Sequence, residues 1–200
     1  MVLGVIITIM SLAVPSLIGL GSTWKAKESV GVIAGILNQA RLKASSQNAH
    51  TFVAFREAGQ TVKMIYFRSE DGDDPFLSSS TPGNLAALDL DQAGDKLMLL
   101  DRPAQFDNTA LRDIDFTYPS SVLRQNGAST ILSTSREVVY RGEKYDRIIQ
   151  FSPSGELRID GVEQILVEFG IQQLRNGNAG QFYSVIQIPG TTGQAFVYSN

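Results

Sequence analysis

From Val2 to Leu20 the chain runs nineteen residues without a charge. An α-helix of that length measures roughly 28 Å at about 1.5 Å per residue, close to the hydrocarbon core of a bilayer. Trp24, Lys25 and Lys27 follow, where interfacial aromatics and cations collect. The run predicts a membrane-spanning helix. A buried core helix would be apolar on all sides at an exposed terminus. A cleavable signal peptide would place Lys or Arg ahead of the apolar stretch, and none precedes it. Pro15 lies near the middle of the run. In water such a proline costs a helix roughly 3 kcal/mol, because it removes a hydrogen bond and clashes with the preceding turn. In a membrane, neighbouring helices and the hydroxyls of Thr8, Ser11 and Ser16 can re-satisfy the freed groups. Pro15 therefore reads as a bend in the span.

The next segment continues the helix in another character. Glu28 to His50 contains no proline, and Val30, Ile33, Leu37, Ala40 and Ala44 recur at i, i+3 and i+4 spacing. Gln39, Arg41, Lys43 and Gln47 are the polar counterparts. One face should pack on a domain while the other meets water. Gly31 and Gly35 weaken the helix slightly.

After His50 the pattern changes to period two. "TFVAFRE" and "TVKMIYFRS" around a short "AGQ" connection predict a hairpin. "KLMLLDRP" and "RDIDFTYP" look like strands closed by prolines. "YDRIIQFSPSGELRI" predicts a second hairpin about a Ser-Pro-Ser-Gly turn, since proline presets φ and glycine admits a positive one. "EQILVEFGIQQL" is read as strand rather than helix, and "FYSVIQIPGTTGQAFVYS" as a last hairpin around Pro189 to Gly193. "SEDGDDPFLSSSTPGN" is a polar loop without periodicity. No internal repeat of fixed period is present.

The apolar helix "VLGVIITIMSLAVPSLIGL", the passage "LNQARLKASSQNAHTFVAF" and the late glycine hairpins "IIQFSPSGEL" and "IPGTTGQAFVY" together resemble the type IV pilin-like proteins. Within them the passage is similar to the helix-to-first-strand segment of GspH/FimT-type pseudopilins. "MIYFRSEDGDD", "NLAALDL" and "KLMLLDRPAQFD" resemble, more narrowly, the Verru_Chthon cassette protein D subgroup. Members carry a basic leader, a processing site and a glutamate shortly inside the mature end. Met1 aligns within the apolar helix, past all three, so a misplaced start is expected. The resemblance implies a subunit inserted in the inner membrane with its globular domain outside. Helix-on-helix packing then builds a pilus or short pseudopilus that drives secretion. Small residues (Gly4, Ala13, Ser16, Gly19, Gly21) would let helices approach closely in lipid. The implied partners are other pilin-like subunits through the N-terminal helix, the inner membrane, and a prepilin peptidase if a leader exists upstream.

Composition narrows the chemistry. The 200 residues include no cysteine and one histidine, at a net charge of −3. Disulfides, thiolate metal sites, cysteine nucleophiles and multi-histidine metal sites are excluded. Ser22 and Lys25 fit a Ser-x-x-Lys pattern, but no Lys-Thr-Gly or Ser-Asp-Asn accompanies it, and coincidence is the better reading. His50 reads as a helix-end residue whose charged form the dipole favours. Eleven acids lie between Glu70 and Asp115 against Lys96, Arg102 and Arg112. "EDGDD" offers hard oxygen ligands for Ca²⁺, yet the Asp-x-Asp-x-Asp-Gly order is absent, and a solvated loop is favoured. Some FimT-type relatives bind DNA through basic residues near the C-terminus. "GQAFVYSN" has no Lys or Arg for phosphate contacts, so no nucleic acid is expected.

The expected architecture is α+β and pilin-like: a long N-terminal helix on an antiparallel β domain. Residues 1–24 would be the membrane and filament-core helix, 25–50 its amphipathic extension, and 51–200 the β domain. The expected function is a structural, non-enzymatic minor pseudopilin-like subunit of a type II secretion or type IV pilus-like assembly. No catalytic, cofactor or metal residues are assigned. The alternative is a membrane-tethered or exported β domain that binds another envelope component.

Overall fold

The computed structural model describes residues 2–78, 88–92, 96–113, 128–131, 134–175 and 177–199, with side chains in the first helix from Trp24 onward. That helix, α1 (Val2–Gln47), buries the face its spacing predicts: Val30, Ile33, Leu37, Ala40 and Ala44 are all sealed from solvent, joined by Ala26 and Ala34. It ends where Asn48 takes a φ of 48°, a left-handed conformation that asparagine tolerates better than most residues. Ala49 N–H closes the last turn on the Ala44 carbonyl at 3.2 Å.

Strands β1 (Thr51–Ala58) and β2 (Thr61–Ser69) form the expected hairpin, in full register from Thr51↔Arg68 to Ala58↔Thr61. The short helix α2 (Pro75–Ser78) interrupts the polar loop that follows. Then come β3 (Leu88–Asp89), β4 (Leu97–Leu99), β5 (Ala104–Asp107), β6 (Thr109–Arg112), β7 (Val138–Tyr140), β8 (Glu143–Tyr145), β9 (Arg147–Phe151), β10 (Leu157–Ile159) and β11 (Val162–Glu163). The chain finishes with β12 (Leu166–Arg175), β13 (Asn178–Pro189) and β14 (Phe196–Ser199). The central sheet has the order β11-β10-β9-β1-β2-β4, with β5 also paired to β2. A second sheet runs β14-β13-β12-β6, and a small third one β3-β7-β8. The Ser-Pro-Ser-Gly hairpin joins β9 to β10, with Gly155 at φ 84°. "EQILVEFGIQQL" is strand, and the last hairpin joins β13 to β14. Of "RDIDFTYP" only Arg112 and Asp113 are described, and residues 79–84 of the polar loop likewise lie outside the described ones.

Two apolar cores flank the central sheet. Val53 and Phe55 of β1 face the first, between α1 and the second sheet, where the Phe55 and Phe169 rings lie 5.8 Å apart. Phe52 and Ala54 face the second, with Phe67 stacked on Phe52 at 5.1 Å and Phe76 of α2 edge-on at 5.4 Å. Strand β1 is therefore buried on both faces from Thr51 to Phe55.

This architecture corrects the expected fold class. The protein is mostly β, in several largely antiparallel sheets covered by one N-terminal helix, and not the α+β pilin-like arrangement with a membrane-spanning first half. Among the described residues no helix is long and apolar enough to cross a membrane. The physical reason lies in α1 itself. Its described side chains include Lys25, Lys27, Glu28, Arg41 and Lys43, and its side bearing Val30, Ile33, Leu37, Ala40 and Ala44 packs on the sheets. Length of an apolar run decided the expectation, whereas strand pairing over the remaining chain decides the fold.

Candidate functional site

Two places stand out among the described residues, beside the exposed Val162 and Ile165 near β11 and Phe196 and Val197 of β14. The first is the side of α1 turned away from the sheets. Trp24 is 75% exposed and Leu42 61%, whereas the partly exposed Val32 lies at the flank of the helix, where it lines a cavity with Gln105, Phe106 and Asp107 of β5. Gly31 and Gly35 share the outward side, and a Cβ added at either would meet nothing within 4 Å. The opposite side is fixed by packing and by a bracket from Asn38, whose amide nitrogen donates to the Ala195 carbonyl at 3.4 Å and whose amide oxygen accepts from Ala195 N–H at 2.9 Å. Thr51 Oγ1 donates to the Ala40 carbonyl at 2.8 Å and ties the helix to β1.

The second is a polar cluster at the end of α1. It joins His50, Asp74 of the acidic loop, Arg136 before β7 and Gln150 of β9. Arg136 Nη1 lies 3.4 Å from Asp74 Oδ2 and donates to Gln150 Oε1 at 3.0 Å. Gln150 Nε2 donates to Asp74 Oδ2 at 2.8 Å and lies 3.0 Å from His50 Nδ1. The other carboxylate oxygen of Asp74 accepts from Phe76 N–H at 3.0 Å. Asp74, Arg136 and Gln150 are buried, and the guanidinium also covers the Phe76 ring at 4.7 Å. Burial lowers the pKa of His50 below its ordinary value of 6.5, outweighing Asp74 and Asp73, which raise it; Arg158 and Arg136 lower it further. Sequence reasoning gave His50 a charged helix-end role; the cluster instead favours the neutral ring.

The other residues singled out from sequence fall elsewhere. Lys25 is exposed, and the side chain of Ser22 lies outside the described ones. Asp71 accepts from Ser69 Oγ at 2.7 Å, Lys96 Nζ at 2.9 Å and Asp73 N–H at 3.2 Å, so its oxygens already have partners. The Ser69 hydroxyl, and after it Lys96, hold its pKa down to about 2. Among the described residues no group of three His, Cys, Asp or Glu could hold a metal ion. A cavity of about 270 Å³ beside β2 and β8 is lined by Lys63, Tyr140, Arg141, Glu143 and Tyr145. There Glu143 bridges Lys63 at 2.5 Å and Arg56 at 3.1 Å, and burial pushes the Tyr145 phenol up to about 12. This arrangement offers neither a free base nor an activated nucleophile. Arg136 and Gln150 belong to no motif, and their position relative to Asp74 follows only from strand order. No protein-family model, no curated protein and no solved structure matches the chain.

Proposed function

We propose that the chain is a structural subunit that assembles through its N-terminal helix and displays its β domain, in the manner of the pseudopilin-like components of secretion or pilus-like assemblies. Its proposed partners are other such subunits, and its proposed place is the inner membrane with the β domain outside. One observation carries the reading. Helix α1 covers the sheets with one side only, while the other side presents Trp24 and Leu42 around two glycines. Exposed large apolar groups grouped on one element mark an interaction surface. The charge-free run from Val2 to Leu20 and the sequence resemblance support the same reading.

The absence of cysteine from the sequence makes a direct test simple. Single cysteines at Trp24 and Leu42, and a control at the exposed Val162 of β11, are introduced into the full chain in its native cells and oxidised in place. Trp24→Cys and Leu42→Cys should give cross-linked ladders and Val162→Cys should not. Ladders from Val162→Cys alone would overturn the proposal. So would a mature N-terminus, read by mass spectrometry, that begins beyond residue 20.

A further inference from the structure

The cavity beside β2 and β8 lies where the second apolar core runs out. Arg56, Lys63 and Gln105 form one cross-strand row over β1, β2 and β5, continuing the face that carries Phe52, Ala54, Ile65 and Phe67. The β7–β8 hairpin meets that row through Glu143. Its two-residue turn, Arg141-Gly142, has φ of 52° and 73°, the left-handed pair of a type I′ turn. Asp91 Oδ2 accepts from Arg141 N–H at 2.5 Å. The Arg141 guanidinium lies over the Tyr140 ring, 5.2 Å from its centroid, and pairs with no carboxylate among the described residues. Glu143, by contrast, is fully engaged. Its Oε1 takes both Lys63 and Arg56, and its Oε2 accepts from the Tyr145 hydroxyl at 3.4 Å. The hydrogen bond from Lys63 is the main cause that holds its carboxyl below the ordinary range. The wall therefore sets two cations, Lys63 and Arg141, against one anion already occupied. Behind the wall Arg56 and Asp91 offset each other. Asp107, which accepts from Gln105 at 2.9 Å, is exposed and lines the other cavity, beside Val32.

We propose that this cavity binds a single carboxylated sugar ring, a uronic acid, with its carboxylate on Arg141 and Lys63 and its ring against Tyr140 and Pro103. One surplus positive charge suits a monoanion, whereas Glu143 and Asp91 repel a phosphate dianion. The planar fork of Arg141 matches a carboxylate through two parallel hydrogen bonds, and Lys63 adds a point charge. A volume of about 270 Å³ falls just below the roughly 300–1,000 Å³ of drug-sized ligand sites, which leaves room for one ring. Tyr140, Pro103 and Ala104 give the wall apolar faces, and Lys63 and Gln105 give it polar ones. A ring that carries both C–H and hydroxyl groups needs that mixture. With no free base or nucleophile, the site holds its ligand and does not convert it. It stands on the β domain and does not depend on assembly through α1.

The test is saturation-transfer NMR on the full chain, with sodium galacturonate, galactose, inorganic phosphate and trigalacturonate as probes. Galacturonate should bind saturably with a Kd on the order of 1 mM, the weak range of so small a ligand. Galactose, which has a hydroxymethyl group in place of the carboxylate, should bind at least about tenfold more weakly, the value of one charge-assisted hydrogen bond. Phosphate should not displace galacturonate. Arg141→Asn should lose at least about tenfold as well. It turns the hairpin loop into Asn-Gly, the preferred pair for type I′ geometry, so the loss reports the guanidinium and not the fold. Lys63→Met, on the facing strand, removes the second cation and should weaken binding by a similar factor. Trigalacturonate separates two sources of the same chemistry: affinity equal to the monomer's assigns a free acid, tighter binding a polymer, and both support the site. No saturable binding of galacturonate at about ten times the expected Kd, equal binding of galactose, displacement by phosphate, or full binding in both variants would each overturn the proposal.

Discussion

Leu37 and Leu42 lie five residues apart on α1 and test its one-sided packing directly. Leu37 is fully buried between the helix and the sheets, whereas Leu42 is 61% exposed. Truncating Leu37 to alanine removes three buried carbons, and at roughly 0.8 kcal/mol each the transfer loss is about 2.4 kcal/mol. Backbone on both sides prevents full collapse of the space left behind, and the cavity contribution brings the total to about 3–4 kcal/mol. Leu42→Ala should stay within about 0.5 kcal/mol, because the truncated atoms already meet solvent. The assay is equilibrium urea unfolding of the full chain followed by far-ultraviolet circular dichroism. Leu37→Ala should move the midpoint down without changing the slope. Equal effects at the two positions, or a loss under about 1 kcal/mol at Leu37, would refute the placement of the helix on the sheets. Leu42→Ala in turn should weaken the cross-linked ladders obtained at Trp24 while leaving the unfolding midpoint in place.

Gly190 and Gly59 make a second contrast. A Cβ at Gly190 would collide with the backbone carbonyl of Gln164, while one at Gly59 would meet open space and face only the cost of a φ of 63°. Gly190→Ala should cost about 3 kcal/mol or more against about 1 for Gly59→Ala, and thermal unfolding should separate them; similar melting temperatures would refute the close approach. Asp71, with its pKa lowered to about 2 by the Ser69 hydroxyl and then Lys96, contributes stability that is present above 3.8 and is lost as pH falls through the folded value. Ser69→Ala should move its NMR titration midpoint up toward 3.8 by more than Lys96→Met does, and the reverse order would show the ion pair to be the main cause.

The sequence was most legible where structure is local. The β1–β2 hairpin, the Ser-Pro-Ser-Gly turn with Gly155 at positive φ, and the buried set Val30, Ile33, Leu37, Ala40 and Ala44 all follow from short-range spacing. The fold class was misread because the apolar run at the start was weighed by its length, while several strands are only two to four residues long and carry little periodic signal. Strand β1 shows a related limit. Alternation normally marks a strand with one wet face, but Thr51 to Phe55 are buried without a break because α2 and the small third sheet cover the other side. The polar cluster was out of reach for a similar reason. His50, Asp74, Arg136 and Gln150 are brought together by β1 pairing with β9, a contact that no local pattern announces. The sequence placed His50 at a helix end, and only the fold supplied the amide that holds its ring neutral.

That same pairing has a consequence for how the chain is made. Strand β1 finds β2 within a few residues, but its other neighbour completes only at Phe151, which pairs with Thr51. At about 5–20 residues per second, roughly five to twenty seconds of synthesis separate the two strands. During that interval one edge of a strand buried on both faces from Thr51 to Phe55 has no partner, the condition under which strands pair with other chains. Until residue 147 and the rest of β9 are made, shielding of Thr51–Phe55 has to come from outside the sheet.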